Sequence, residues 1–262
     1  MILTNNNYYS SIVNREYLSV SQYKSFCKCE AATMAALNDE WSQPKTTALL
    51  VGSYIDSWFE GTLDEFSQNN PEIFKKDGSL KAEYVQAESI ITRVQLDPLF
   101  MEFMGGEKQR IFEAELFGAK WKIKIDSLLP DKIVDLKIMR SMERIMGKSF
   151  VEHWGYDLQM AVYAAVYKAV TGYDLDTYLA VATKQTPSDI EIIEIPLWRR
   201  EELLLEVERN VPHILAVKSG EVPPERCGVC DYCRSTKIIT EPIDFELVGL
   251  SNAERKAIFG KF

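Results

Sequence analysis

The chain has 262 residues, 46% hydrophobic and 26% charged, with a net charge of −9. That is enough apolar residue for one large core, and no apolar run reaches the ~20 residues needed to span a bilayer. The acidic balance argues against a passive nucleic-acid coat, but it leaves room for an enzyme whose clustered acids bind metal beside a locally basic groove.

The N-terminus MILTNNNYYS has no basic stretch leading into an apolar one, so no signal peptide is expected, and the location implied is cytoplasmic. Residues 20–37 predict a helix that Ser19 or Ser21 can cap. Residues 45–60 predict a second helix, and Gly52 inside it suggests close packing or a functional approach. Residues 61–79 are polar and punctuated by Gly61, Pro71 and Gly78, which predicts a loop with short helical turns; residues 80–97 predict a third helix.

The period then changes. Ile111 to Phe117 alternates, Gly118 marks a turn, and Trp121 to Asp126 alternates again, as in a hairpin. Pro130-Asp131 marks the next turn, and Ile133 to Lys137 is the third strand of the meander. After a short helix or loop over 142–152, residues 154–170 predict a strong helix closed by Gly172. Residues 177–183 and 190–195 are strand-like, 198–218 is a long amphipathic helix, Pro223-Pro224 breaks it, and 243–262 has room for a short amphipathic helix. This order predicts a mixed α/β (α+β) fold with a central mixed sheet flanked by helices. It is read as one domain over 1–262 with a core at about 45–200.

The chemistry gathers around Ile133-Val134-Asp135-Leu136-Lys137. On a strand Asp135 and Lys137 share one face while Val134 and Leu136 point to the other. Asp126 closes the preceding strand, so a short turn brings two carboxylates onto neighbouring strands. They would repel unless a cation sat between them. Only His153 and His213 are present, which favours hard oxygen ligands and therefore Mg²⁺ or Mn²⁺. Lys137 is then placed to stabilise charge on a reacting phosphate. Asp131 competes for the role as a literal Pro-Asp pair, but it lies in a turn. Gln159 and Tyr163, four apart, share one face of the 154–170 helix and can lean over the same site. Asp56 and, one turn later, Glu60 are further acids, and Glu113 and Glu115 on the first hairpin strand are weaker candidates. Lys120, Lys122 and Lys124 would form a basic row beside the site. Arg140, Arg144 and Lys148 follow it, and Trp154 and Tyr156 could stack on an unpaired base.

Asp126 followed by Asp135-Leu136-Lys137 resembles the core motif of the PD-(D/E)XK nucleases, and Gln159-Met160-Ala161-Val162-Tyr163 matches the Gln-x-x-x-Tyr motif of their RecB-like branch. Gly52-Ser53-Tyr54-Ile55-Asp56 resembles the helix on which many of these enzymes carry a metal-binding histidine, with Asp56 in its place. Ser19 to Tyr23 and Cys230-Asp231-Tyr232-Cys233-Arg234 look like the exonuclease VIII (RecE) type. The resemblance implies a restriction-endonuclease-like core with Asp56, Asp126 and Asp135 as metal ligands and Lys137, Gln159 and Tyr163 at the site. It also implies 5′→3′ digestion of linear duplex DNA, a ring-shaped homo-oligomer and a single-strand annealing partner. A single-strand nuclease of the CRISPR-associated type, or a DNA-binding module with a decayed site, are the competing readings.

Cys227, Cys230 and Cys233 are spaced by two residues, a spacing usable by an iron–sulfur cluster. Cys29 or Cys27 could close the set, and the family resemblance implies one N-terminal and three C-terminal ligands around a 4Fe–4S cluster. Zinc held by four thiolates and free thiols are the other readings. In the first two, the segment 221–240 would pack on the N-terminal helix and staple the chain ends.

Overall fold

The computed structural model describes residues 2–42 and 46–259. Lys45, the first residue of the expected second helix, and residues 260–262 of the expected tail helix lie outside them. The strands are β1 (Glu107–Leu116), β2 (Ala119–Leu128), β3 (Lys132–Met139), β4 (Asp176–Thr183) and β5 (Ile190–Glu194). The helices before the sheet are α1 (Ser11–Glu16), α2 (Val20–Lys28), α3 (Glu30–Leu37), α4 (Thr47–Glu60), α5 (Leu63–Asn69), α6 (Ala82–Gln95) and α7 (Pro98–Phe103). Those after β3 are α8 (Phe150–Trp154), α9 (Tyr156–Thr171), α10 (Leu197–Ser219), α11 (Asp231–Ser235) and α12 (Asn252–Phe259).

The strands form one sheet in the order β1-β2-β3-β4-β5. β2 runs antiparallel to β3, β3 parallel to β4, and β4 antiparallel to β5, so the sheet is mixed as expected. A parallel pair needs a long crossover, and α8 and α9 supply it between β3 and β4. The turn from β1 to β2 has Phe117 at φ 57° and Gly118 at φ 77°. Two left-handed residues in a row match the twist of a tight hairpin, and the glycine adopts one of them without strain.

Three expectations need correction. Residues 20–37 are two helices, because Cys29 is extended (φ −165°, ψ 104°) and separates α2 from α3. Residues 154–170 are not one helix either. Trp154 ends α8, which opens on a Ser149–Glu152 capping box, and the left-handed Gly155 (φ 61°) turns the chain into α9. Gly52 is not held by close packing, since a Cβ there would meet nothing within 4 Å. α7, which Asp97 caps and Pro98 opens, follows the third helix as a separate element that was not expected.

The chain divides into two compact units. The first comprises Met1–Gln43, Leu116–Trp121 and Val207–Phe262; the second comprises Pro44–Glu115 and Lys122–Glu206.

In the second unit α4 and α6 cover one face of the sheet. Tyr84, Ala87, Ile91 and Val94 recur at helical spacing along α6 and are buried with Val51, Tyr54 and Ile55 of α4. They pack on Val134 and Leu136 of β3 and on Ala180 and Ala182 of β4, and each large apolar side chain buried this way contributes about 1.5–3 kcal/mol. α9 packs on β3 and β4 as well. Its entry is tied down by Arg199, whose guanidinium forks onto Oδ2 of the buried Asp157 at 2.9 and 2.8 Å.

In the first unit Trp121 is fully buried beside the Tyr23 ring, 6.1 Å between centroids, and its indole N–H donates to Leu116 O at 3.1 Å. Val207, Val211, Ile214 and Val217 form the buried stripe of α10. Asn210 on the same helix donates to the Tyr23 hydroxyl at 2.9 Å.

Candidate active site and cysteine cluster

β3 is covered on both faces, and this sets the chemistry. Ile133 and Val134 are fully buried and Asp135 is 2% exposed. The β2–β3 register pairs Ser127 with Val134 and Leu128 with Ile133, which brings Asp126 to the Asp135–Leu136 step. There the Leu136 N–H donates to Asp126 Oδ2 at 2.9 Å. On the neighbouring position Asp135 Oδ1 accepts a 2.6 Å bond from Gln159 Nε2 on α9, and Asp135 Oδ2 is in ion contact with the Lys137 ammonium. Lys137 Nζ also lies 4.9 Å from the centre of the Tyr156 ring, whose hydroxyl donates to Met139 Sδ at 3.2 Å. Tyr156 therefore packs on the lysine, a role that base stacking on its own did not foresee. Tyr163 follows Gln159 by one turn of α9 and is half-buried.

The acids perturb one another strongly. Burial, then Asp135 and Asp56, push Asp126 well above the usual carboxylate range, against the pull of Lys137 and the Leu136 N–H. Asp56, on α4, is raised to about 7, first by burial; Lys137 opposes the rise, and Asp135 and Glu60 add to it. Burial alone would lower Lys137, but Asp135 and Asp126 outweigh it and hold the ammonium above its ordinary value. The structure thus brings Asp56, Asp126, Asp135 and Lys137 into one electrostatic group.

Three acids outnumber one lysine, so their mutual repulsion and burial disfavour full ionisation without a cation, and every acid offers hard oxygen donors. The donor set fits Mg²⁺ or Mn²⁺. The Asp126 and Asp135 oxygens are turned to protein donors; among the described residues the one group of His, Cys, Asp and Glu side chains clustered tightly enough to share an ion is made of cysteines. A carboxylate oxygen has a second lone pair, so the observed hydrogen bonds and a cation are compatible.

The surroundings revise several expectations. Lys122 is buried (1% exposed), and burial lowers its amine to about 8, so Lys120, Lys122 and Lys124 do not make an open basic row. β2 is buried on both faces at that point, which simple alternation cannot reveal. Asp131 pairs with Lys132 at 3.0 Å in the exposed turn and stays outside the group. Glu113 and Glu115 are exposed on β1. Burial raises Glu60, against the attraction of Lys124 and Lys108. Arg144 donates to Gly147 O at 2.8 and 3.2 Å and braces its own turn. Sequence reasoning missed Gln109, whose amide donates to Asp126 Oδ1 at 3.3 Å. It began the first strand at Ile111, and the structure begins it at Glu107.

The cysteines meet inside the first unit. The extended Cys29 breaks the helix, and its Sγ comes 3.6 Å from Cys233 Sγ; Cys227 Sγ lies 3.9 Å from Cys233 Sγ. One ligand atom from each of Cys29, Cys227, Cys230 and Cys233 lies within 4.8 Å of all the others, a set that could bind a metal. Cys27 is exposed and outside it. Backbone N–H groups of Cys227, Cys230 and Cys233 point at sulfurs of the set, at 3.4–3.5 Å. Burial raises Cys227, but N–H groups of Val229 and Cys230 and the neighbouring thiols bring it down to about 7, while burial lifts Cys230 to about 12.

A family model described as a PDDEXK-like domain of unknown function (DUF3799) matches residues 19–236. A solved structure from Eubacterium rectale, described as a "putative exonuclease", is 49% identical. The match covers 95% of this chain and 99% of that one, with a TM-score of 0.91. No curated protein matches. No helix among the described residues is long and apolar enough to cross a membrane.

Proposed function

The chain belongs to the PDDEXK-like domain family DUF3799, and we propose that it is a metal-dependent deoxyribonuclease that hydrolyses phosphodiester bonds. The observation that carries this reading is the buried contact set Gln159–Asp135–Lys137 beside Asp126. Asp126 on β2 and Asp135-Leu136-Lys137 on β3 follow the order of the PD-(D/E)XK motif they resemble on adjoining strands of a mixed sheet, and Gln159 reaches them from α9. The similar structure described as a "putative exonuclease" supports the same reading.

Asp56, Asp126 and Asp135 would hold Mg²⁺ or Mn²⁺. A divalent ion supplies Lewis acidity to the phosphodiester oxygen and to the attacking water. The chain's own groups do the rest. The Gln159 amide fixes the rotation of the Asp135 carboxylate. Lys137 is kept protonated by Asp135 and Asp126, so its ammonium is available to neutralise charge that grows on the phosphate oxygens as water attacks. The Tyr156 ring shields that ammonium from solvent and strengthens its field. Tyr163, one turn along α9, is proposed as a contact to the substrate phosphate. The cysteine set is proposed to hold a 4Fe–4S cluster, with zinc as the alternative, in a structural role.

Action on linear duplex ends in the 5′→3′ direction, a ring-shaped homo-oligomer and a single-strand annealing partner rest on the motif resemblance to the exonuclease VIII type. Duplex labelled at one 5′ end or one 3′ end, incubated with protein and Mg²⁺, tests the direction. Early release of the 5′ label as a short product supports it. Early release of the 3′ label, or faster digestion of single strands than of duplex, rejects it in favour of the opposite polarity or the single-strand reading.

A further inference from the structure

Gln109 reaches Asp126 from a backbone that is held in an unusual place. Gly106 N–H donates to Ser127 Oγ at 2.9 Å, and Ser127 Oγ donates onward to Phe103 O at 2.9 Å. A Cβ on Gly106 would stand 2.5 Å from Leu128 O, so only glycine fits that approach. This clamp ties the start of β1 to the residue next to Asp126. Three residues further on, Gln109 is left-handed at φ 52°, a conformation that L residues other than Asn and Asp seldom adopt. The burial alternation slips at the same point, with Lys108 and Gln109 both half-buried in succession. A local slip of this kind re-aims a side chain, and such features recur beside active sites. Here Gln109 Nε2 faces Asp126 Oδ1 at 3.3 Å, while Leu136 N–H holds Oδ2 from the other side.

We infer that Gln109 is a positioning residue: gripped by the Gly106–Ser127 clamp, it donates to Asp126 Oδ1 and sets the rotation of that carboxylate for a divalent cation. The inference rests on the metal-dependent reading above and assigns a role to a residue outside the family motif. Orienting partners of metal ligands act through ligand geometry, so Gln109 influences metal affinity and leaves DNA affinity alone.

The test uses full-length protein with Gln109→Met, which keeps side-chain bulk and removes the donor, and Gln109→Gly, which removes the donor and relaxes the left-handed backbone. Binding of Mn²⁺ is measured by electron paramagnetic resonance without DNA, and cleavage is titrated with Mn²⁺ separately. The expected result is a weakening of Mn²⁺ binding by about 10-fold in both variants, with the half-saturating metal concentration for cleavage moving in parallel and the KM for DNA unchanged. In an Asp126→Asn background Gln109→Gly should add nothing further. If Gln109→Met melts early, Gln109→Gly decides. Wild-type Mn²⁺ affinity in a folded variant, or a change confined to the KM for DNA, overturns the inference. If the wild type binds Mn²⁺ and Gln109→Gly weakens it, yet no nucleic acid is cleaved, the nuclease reading fails while the role of Gln109 stands.

Discussion

Gln159 Nε2 on α9 donates to Asp135 Oδ1 on β3 at 2.6 Å, and this bond couples the crossover helix to the strand that carries the candidate chemistry. α9 is itself anchored through Asp157 and Arg199, so the amide arrives on a fixed support. Replacing Gln159 with Ala frees the Asp135 carboxylate to rotate without opening the core. Cleavage should fall by about 10–100-fold while the melting temperature stays near that of the wild type. Turnover and thermal melts of the same preparation check this, and a variant as active as wild type would remove Gln159 from the site.

Asp126 pays for its position in stability. Burial and two neighbouring acids disfavour its charge, so Asp126→Asn should raise the melting temperature in EDTA and abolish cleavage. Saturating Mg²⁺ should raise the wild-type melting temperature by several degrees, since a ligand at 100 times its dissociation constant contributes about 2.7 kcal/mol. The asparagine variant should show little of that rise. Differential scanning calorimetry with and without Mg²⁺ reads both effects.

Lys122 gives a pH signature. Its amine is lowered to about 8 in the folded chain by burial. The unfolded chain, with an ordinary value of about 10.4, binds more protons between these limits, so the lysine's penalty is complete below pH 8 and fades as pH rises towards 10.4. The stability of Lys122→Met relative to wild type should therefore decline across that window by up to about 3 kcal/mol. Urea midpoints at pH 7, 9 and 10.5 measure it, and a flat difference would show that the buried amine does not lose its proton there.

The four-sulfur set should be filled in protein purified without oxygen. Metal analysis together with absorption near 400 nm distinguishes an iron–sulfur cluster from zinc. Cys230→Ser should lower the metal content and the melting temperature together. Full metal content in that variant would place the ion elsewhere.

The sequence was most legible where local periodicity and long-range placement coincide. Alternation along Ile133 to Lys137 placed Asp135 and Lys137 on one face, and they are in ion contact. The four-residue spacing of Gln159 and Tyr163 put both on one helix face, and in the structure the Gln159 amide of that face donates to Asp135, a partner the spacing alone does not name. The breaks at Cys29 and Gly155 were hidden because flanking residues favour helix on both sides, and what opens the chain is a sulfur contact in one case and a left-handed joint in the other. Lys122 misled because a strand covered on both faces no longer alternates between core and water. Gln109 carried no signal, since its reach depends on a left-handed backbone that no neighbouring glycine or asparagine announces.

The central claim is that Asp135 and Lys137 form the metal-and-lysine edge of a nuclease site. It is tested most directly by incubating folded protein with linear duplex and with single-stranded DNA in Mg²⁺, in Mn²⁺ and in EDTA, beside Asp135→Ala and Lys137→Ala. The account predicts digestion with either metal, none in EDTA, and loss of activity in both variants, which melt as cooperatively as the wild type. Intact duplex and intact single strands with both metals, or digestion that persists in Asp135→Ala, would contradict it.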